Sequence, residues 1–201
     1  MRDPDHHRDD NDDAMRAADG GERALLARIA AADAAAFETL YRGYYGRLFR
    51  FVARTLRRTD VADEIINDVM YVVWEKAATY NGSSRPSTWI FGIAYNKARR
   101  FFSDPGIVRS LETLPAALEP ADLQWEEARE LEDLVEKLLA HLSAEQRLVL
   151  ELTYYQGMHY REIAAVMDCP ENTVKTRMFH ARRKLGLLLE QDDARAPGAP
   201  S

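Results

Sequence analysis

Residues 160–188 constrain this chain most, because two apolar stripes at helical spacing follow one another with only a short break between them. Tyr160, Ile163, Ala164 and Met167 fall at i, i+3, i+4 and i+7, one face of a helix of about two turns. Asp168, Cys169 and Pro170 end it. Val174, Met178, Ala181, Leu185 and Leu188 then recur at steps of four, three, four and three, so they share a face that must be buried. The opposite face carries Thr176, Phe179, His180 and Arg183, with Lys175 and Arg182 on one flank and Arg177 on the other. No acidic residue lies between Asn172 and Gly186.

Two helices joined by a tight turn, the second basic with an outward aromatic, predict a helix-turn-helix whose second helix enters the DNA major groove. Arg and Lys neutralise phosphates, while Thr, His and Phe reach base edges or a thymine methyl. The plainer alternative is a helical hairpin with a solvated basic face. Phe179 argues against it, since a large apolar side chain among charges needs a partner that water does not supply.

A net charge of -6 opposes nucleic-acid binding until its distribution is considered. Residues 1–13 hold six Asp against two Arg, and residues 111–136 hold nine acids against Arg129 alone. Those two stretches carry −4 and −8 and leave the remainder at +6, so the parts that would meet DNA are basic. The 201 residues, 46% of them hydrophobic, suffice for one or two domains with real cores. No apolar run approaches the ~20 residues that span a bilayer, and an Asp-rich N-terminus is unlike a secretory signal. The expectation is a soluble, cytoplasmic protein. Its one cysteine, Cys169, forms no internal disulfide and is read as a small turn residue.

In chain order, residues 1–20 have no periodicity and are expected to be a disordered acidic tail in which His6 and His7 are merely solvated. Leu25, Leu26 and Ile29 open a first helix, and Phe37, Leu40, Tyr41, Tyr44, Tyr45, Leu48, Phe49 and Val52 form an aromatic second one, mostly core. A third starts after an expected cap at Asp60 and buries Ile65, Val69, Val72 and Val73. Another side of it gathers Glu64, Asn67, Asp68, Tyr71 and Glu75 next to Trp74. Acids beside aromatics at this density fit a protein docking surface as well as a solvated face.

TYNGSSRPS, residues 79–87, is a loop by its Asn-Gly, Ser and Pro content. The helix after it buries Trp89, Ile90, Ile93, Ala94 and Phe101 and bunches Lys97, Arg99 and Arg100 near its end. With Tyr80 in the loop, this supplies the aromatic and cationic groups of a single-strand nucleic-acid site. Residues from Ser103 to about Gln124 are a Pro-containing linker. Leu131, Leu134, Val135, Leu138 and Leu139 resume the helical stripe; Ser143 with Gln146 is a capping box for a helix burying Leu148, Val149, Leu152 and Tyr155, and Gly157 closes it. Residues 192–201 are tail.

The fold expected is all-α: two small helical domains, 21–103 and 128–191, joined by an extended acidic linker at 104–127, with the helix-turn-helix in the second. Glycine-rich phosphate loops, His-Glu-x-x-His, paired cysteines and nucleophile elbows are absent from the sequence, so no enzyme, metal site or cofactor is expected. A helix-turn-helix regulator acting without polymerase is the alternative, but it leaves the Tyr80 to Arg100 segment without a task.

Three stretches carry a family resemblance: AFETLYRGYYGRLFRFV; ADEIINDVMYVVWEKA with RPSTWIFGIAYNKARR; and LSAEQRLVLELTYYQGMHYREIAAVMDCPENTVKTRMFHARRKL. Together they resemble the bacterial RNA polymerase sigma factors of the extracytoplasmic function (ECF) group, over roughly residues 22–190. The resemblance implies a dissociable subunit that binds core polymerase, recognises −35 and −10 promoter elements and promotes melting. Asp63, Glu64, Asp68 and Tyr71 would meet the clamp coiled coil of the largest subunit. Tyr80, Asn96, Lys97, Arg99 and Arg100 would hold the unpaired strand of the −10 element. Lys175, Thr176, Phe179 and His180 would lie nearest the −35 bases, and Arg177, Arg182 and Arg183 nearest its phosphates. The acidic linker would thread the polymerase cleft. An anti-sigma factor is a further implied partner. Four positions depart from the family's usual pattern: His159 where Ser or Thr often caps, Pro170 where Ser commonly starts the reading helix, His180 where Arg is frequent and Asn67 where Gln is usual. Without the bidentate fork of arginine, His180 is poorly suited to reading guanine.

Overall fold

The computed structural model describes residues 6–56, 58–103, 135 and 137–193, with side chains described from residue 18 to 100 and up to residue 190. The element order is α1 (His6–Ala30), α2 (Ala34–Leu56), α3 (Ala62–Lys76), a 3-10 turn (Ala77–Thr79), α4 (Pro86–Ser103), α5 (Ala144–Leu150), a π-helical turn (Glu151–Tyr155), α6 (Tyr160–Met167) and α7 (Glu171–Asp193). Residues 137–140 are also helical, and no strand occurs among the described residues. The expected linker at 104–127, the Leu131 and Leu134 part of the next stripe and the last eight residues lie outside them.

The first half is built on α2, whose start is fixed by Asp33. Its Oδ1 accepts from the amides of Ala35 and Ala36 at 3.0 and 3.1 Å, and Arg28 holds Oδ2 at 2.9 Å. The Ala36 amide and then Arg28 hold this carboxyl below its ordinary range, as expected of an ionised N-cap. Leu40, Tyr44, Leu48 and Phe51 descend its buried face and meet Leu26 and Ile29 of α1, Ile65, Ile66, Val69, Met70 and Val73 of α3, and Ile90, Phe91 and Ala94 of α4. Phe51 and Phe91 pack edge to face at 5.2 Å. In the second half Leu148, Val149, Leu152, Met158, Ile163, Val166, Met167, Val174, Met178 and Ala181 are buried in the same continuous apolar cluster as the first half.

Four local expectations are corrected. Residues 6–20, expected to be disordered, belong to α1, which runs through Gly20 and Gly21. The helix is anchored on the far side of those glycines by Asp19, whose carboxylate pairs with Arg85 at 2.8 Å. Asp60 does not cap α3, because Arg58 takes both its carboxylate oxygens; Val61 stands at the cap without a side-chain bond. Val72 is only partly buried, while Ile66 and Met70 fill the core beside it. Tyr155 is exposed rather than buried, because the π turn adds a residue and so rotates the side chains after it about the helix axis. The Ser143 capping box forms as expected, with Gln146 N donating to Ser143 Oγ at 3.2 Å and Ser143 N donating to Gln146 Oε1 at 3.0 Å.

Tyr44 gives the first half a pH dependence. Burial, and then the charge of Glu22, push its phenol well above the ordinary range; the hydroxyl donates to Glu22 Oε2 at 2.6 Å. A group whose folded pKa is raised contributes stability that is whole below its unfolded value and declines as pH rises past it. Above pH ~10, Tyr44 should therefore add a slope of about −1.4 kcal/mol per pH unit to the unfolding free energy. Urea titrations at a series of alkaline pH values should show that slope reduced in Tyr44→Phe; an equal slope in both proteins would contradict this account.

Candidate nucleic-acid and partner surfaces

The turn between α6 and α7 is set by backbone geometry. Asp168 takes a left-handed conformation (φ 49°), and the Cys169 amide returns to the Ala164 carbonyl at 3.1 Å. Pro170 stands just before α7 and its carbonyl receives the Thr173 amide at 2.9 Å, as a proline at a helix start allows. The cap of α6 rests on Glu162, whose Oε2 accepts from the His159 amide at 2.9 Å. These devices bury Val174, Met178 and Ala181 and turn the other side of α7 outward.

On that outward side Lys175, Thr176, Phe179, His180, Arg182 and Arg183 are all exposed, Phe179 to 61%. Phe179 and His180 lie edge to face at 5.5 Å. Lys175 pairs with Glu171 one turn earlier at 2.8 Å, and Thr176 Oγ1 donates to the Asn172 carbonyl at 2.9 Å. Arg182 reaches off the helix and donates to Tyr154 Oη at 2.7 Å. Arg177 differs from the rest: it is half-buried, pairs with Glu145 of α5 at 2.7 Å and approaches Cys169 Sγ at 3.6 Å. It fastens the reading helix to its own domain.

The second surface is α4 with the loop before it. Asn96, Arg99 and Arg100 are exposed and, at i, i+3 and i+4, share a face. Tyr80 is held from several sides: its hydroxyl donates to the Ser84 carbonyl at 2.5 Å, its ring lies 5.3 Å from that of Trp89, and the Arg23 guanidinium stands 5.9 Å from the ring centre. Arg23 also donates to the carbonyls of Gly82 and Ser84 at 3.1 and 3.3 Å. Gly82 has φ +73°, and a Cβ there would come within 2.8 Å of Arg23 Nη1. The loop is thus held in shape by a helix distant in sequence. Lys97 pairs with Asp68 of α3 at 2.7 Å, which joins one residue of each expected site into a single contact.

The third surface is the polar face of α3. Asp63, Glu64, Asp68 and Tyr71 are all exposed, Tyr71 to 60%. Tyrosines order the polar side chains: Tyr45 donates to Asp63 at 2.6 Å, Tyr71 to Glu75 at 2.7 Å and Tyr41 to the Asn67 amide oxygen at 2.9 Å. The hydrogen bond to Asp63 raises the Tyr45 phenol above its usual range, and that to Glu75 does the same for Tyr71. Tyr41, Tyr45 and Phe49 stand in a ladder about one turn apart, with centroid distances of 6.0 and 6.2 Å. Aromatic rings and fixed acids on one face suit a basic protein partner.

Sequence reasoning missed the polar contacts between the two halves. Arg54 of α2 donates to Glu151 at 2.8 Å with Tyr155 packed 4.0 Å from its guanidinium, and Arg47 donates to Gln156 at 3.0 Å. Thr88 of α4 donates to Glu162 of α6 at 3.0 Å. Glu151 interrupting the apolar run LVLELTYY was the one visible hint, since a carboxylate at a core position needs a cation.

A helix-turn-helix and a second basic surface, with no strand among the described residues, are the features of a class of DNA-binding transcription factor. The sequence matches the family models Sigma-70 region 2 over residues 40–105 and Sigma-70, region 4 over residues 132–185, together more than half of the chain. The chain is similar to the ECF RNA polymerase sigma-E factor of Escherichia coli strain K12, 28% identical over 178 residues that cover 82% of this chain and 92% of that one. Its match to the Haemophilus influenzae sigma-E factor is 25% over 176 residues, covering 82% and 93%. Among solved structures it is similar to CnrH in complex with the cytosolic domain of CnrY, at TM-score 0.63 and 25% identity, over 86% of this chain and 99% of that one. The Bartonella quintana sigma factor RpoE, solved with the anti-sigma factor NepR, has the same TM-score at 24% identity, over 77% and 96%, and shares the fold. The chain belongs to the ECF group of sigma-70-type RNA polymerase sigma factors. It is a transcription initiation factor whose partners are core RNA polymerase and promoter DNA, and a regulator acting without polymerase is not favoured. No helix among the described residues is long and apolar enough to cross a membrane.

Proposed function

We propose that the three surfaces divide the work of initiation among themselves without covalent chemistry. Lys175, Thr176, Phe179 and His180 read the −35 duplex and Arg182 and Arg183 grip its phosphates. Asn96, Arg99 and Arg100, with Lys97 and the Tyr80 loop, hold the unpaired −10 strand. Asp63, Glu64, Asp68 and Tyr71 meet basic residues of the polymerase clamp. The carrying observation is that both cationic faces and the acidic aromatic face are exposed on one chain, each on a different helix. The protein acts in the cytoplasm, at the nucleoid when polymerase carries it. Because CnrH and RpoE were solved with CnrY and NepR bound, an anti-sigma factor is the proposed antagonist.

Transcription with core polymerase on a randomised promoter library tests the whole reading, because activity and sequence preference emerge from one assay. On the selected promoter, Lys175→Ala and Arg182→Ala should each weaken duplex binding and reduce the slope of log K against log salt by about 0.9. Phe179→Ala should instead change the preferred −35 sequence with the salt slope intact. Salt slopes that do not move in either cation variant would remove α7 from the DNA interface.

A further inference from the structure

We propose that Arg85 and Thr88, at the start of α4, form a DNA-phosphate site for the unpaired strand, and that Glu162 of the helix-turn-helix domain fills this site while the two halves of the chain are closed. The inference rests on the proposed strand-holding role of α4. Its basis is an anion already lodged there. Glu162 Oε1 accepts from Thr88 Oγ1 at 3.0 Å and stands 3.6 Å from Arg85 Nη1, which is buried and has no hydrogen-bond partner of its own. Ser87, between them, is also buried with an unsatisfied hydroxyl. On the other side Arg85 Nε is taken by Asp19 of α1 at 2.8 Å. A guanidinium and a hydroxyl converging at the N-terminus of a long helix is what a phosphate requires, and the helix amides add to it.

The occupancy has a chemical meaning. A carboxylate from the duplex-reading domain sits on the strand-reading domain where an anion is wanted, so one contact both masks the site and ties the two halves. When the halves part, Glu162 leaves and Arg85 is released to the DNA backbone, at the N-terminal end of the helix that carries Asn96, Arg99 and Arg100 about 16 Å or more further along. Asp19, on the same domain as Arg85, stays and orients the guanidinium from behind. None of these three residues stands out by residue pattern; only the folded chain brings them together.

The test uses holoenzyme and a fluorescent single-stranded oligonucleotide carrying the non-template −10 strand of the promoter selected above. Arg85→Ala should weaken binding about 5- to 10-fold and reduce the salt slope by about 0.7, while Arg85→Lys keeps the slope. An unchanged slope in Arg85→Ala overturns the site. In the free full-length chain, Glu162→Gln should tighten oligonucleotide binding several-fold, since glutamine keeps the α6 cap and the Thr88 hydrogen bond but removes the charge. Arg85→Ala/Glu162→Gln should show no such gain. A gain that persists in the double variant, or none in Glu162→Gln, overturns the masking. Asn96→Ala separates the two levels: if it weakens binding and Arg85→Ala does not, the phosphate site alone fails, and if neither does, the strand-holding role of α4 fails with it.

Discussion

Replacing Asn96 by alanine should leave promoter binding as duplex unchanged while cutting the yield of open complex about 10- to 100-fold. That range corresponds to about 1.4 to 2.7 kcal/mol, within the ~1 to 3 kcal/mol of one good side-chain contact to a base edge, here from an exposed amide. Opening costs ~1 to 2 kcal/mol of stacking per step, so a strand-capturing surface needs several favourable contacts and tolerates the loss of few. Duplex binding survives because the proposed −35 surface lies on α7 and shares no described side-chain contact with Asn96. Permanganate reactivity of thymines in the −10 region reads the open state, and filter binding at low temperature reads the closed one. Normal thymine reactivity in the variant would contradict the assignment. Lys97→Ala is the instructive companion. Its ammonium is held by Asp68 at 2.7 Å, so removing it also frees an acid of the surface proposed to face polymerase. That variant should show both a melting defect and altered core affinity, whereas Asn96→Ala shows the first alone.

How far the fold could be read from residues depended on whether the cause was local. The stripes of α6 and α7, the Ser143 capping box and the Gly157 stop (φ +62°) are legible because period and capping act within a few residues. The exposed face of α7 was legible for the same reason, and six of its seven expected contact residues face outward. Arg177 was not, because its partner Glu145 lies on α5 and nothing in the period of α7 marks it. Asp60 looked like a cap by type and position, but Arg58 competed for it and won. The α1 segment before Glu22 looked featureless because the contact that anchors it there, Asp19 with Arg85, reaches 66 residues along the chain. Tyr155 was misplaced because a π turn breaks the 3.6-residue count on which burial was predicted. In each miss a polar contact distant in sequence, or a change of helical period, overrode the local rule.

The second large effect belongs to Arg54, and it concerns stability. Glu151 is almost fully enclosed, its side chain 4% exposed and that of Arg54 22%, with the two bonded at 2.8 Å between α2 and the π turn. Burial works against the charge on Arg54, but the hydrogen bond and charge of Glu151 outweigh it and raise its pKa. Gln156 adds a 3.5 Å contact to the other Glu151 oxygen and receives Arg47 in turn. Such a pair is an indifferent source of stability when intact, yet removing one partner strands the other and costs about 3 to 5 kcal/mol. Arg54→Ala should therefore lose ~3 kcal/mol in urea unfolding of the free chain. Adding Glu151→Gln should recover most of that loss, because an amide needs no counter-charge. Arg54→Met/Glu151→Leu should come close to the parent, since an apolar pair of similar bulk has no desolvation to offset. A loss below ~1 kcal/mol in Arg54→Ala would mean that Glu151 is hydrated in solution and the halves are already apart. A full loss, rescued by the neutral partner, would mean that the closed arrangement is the resting state, so that the energy to open it must come from the proposed contacts of α3 with polymerase and of α7 with promoter DNA.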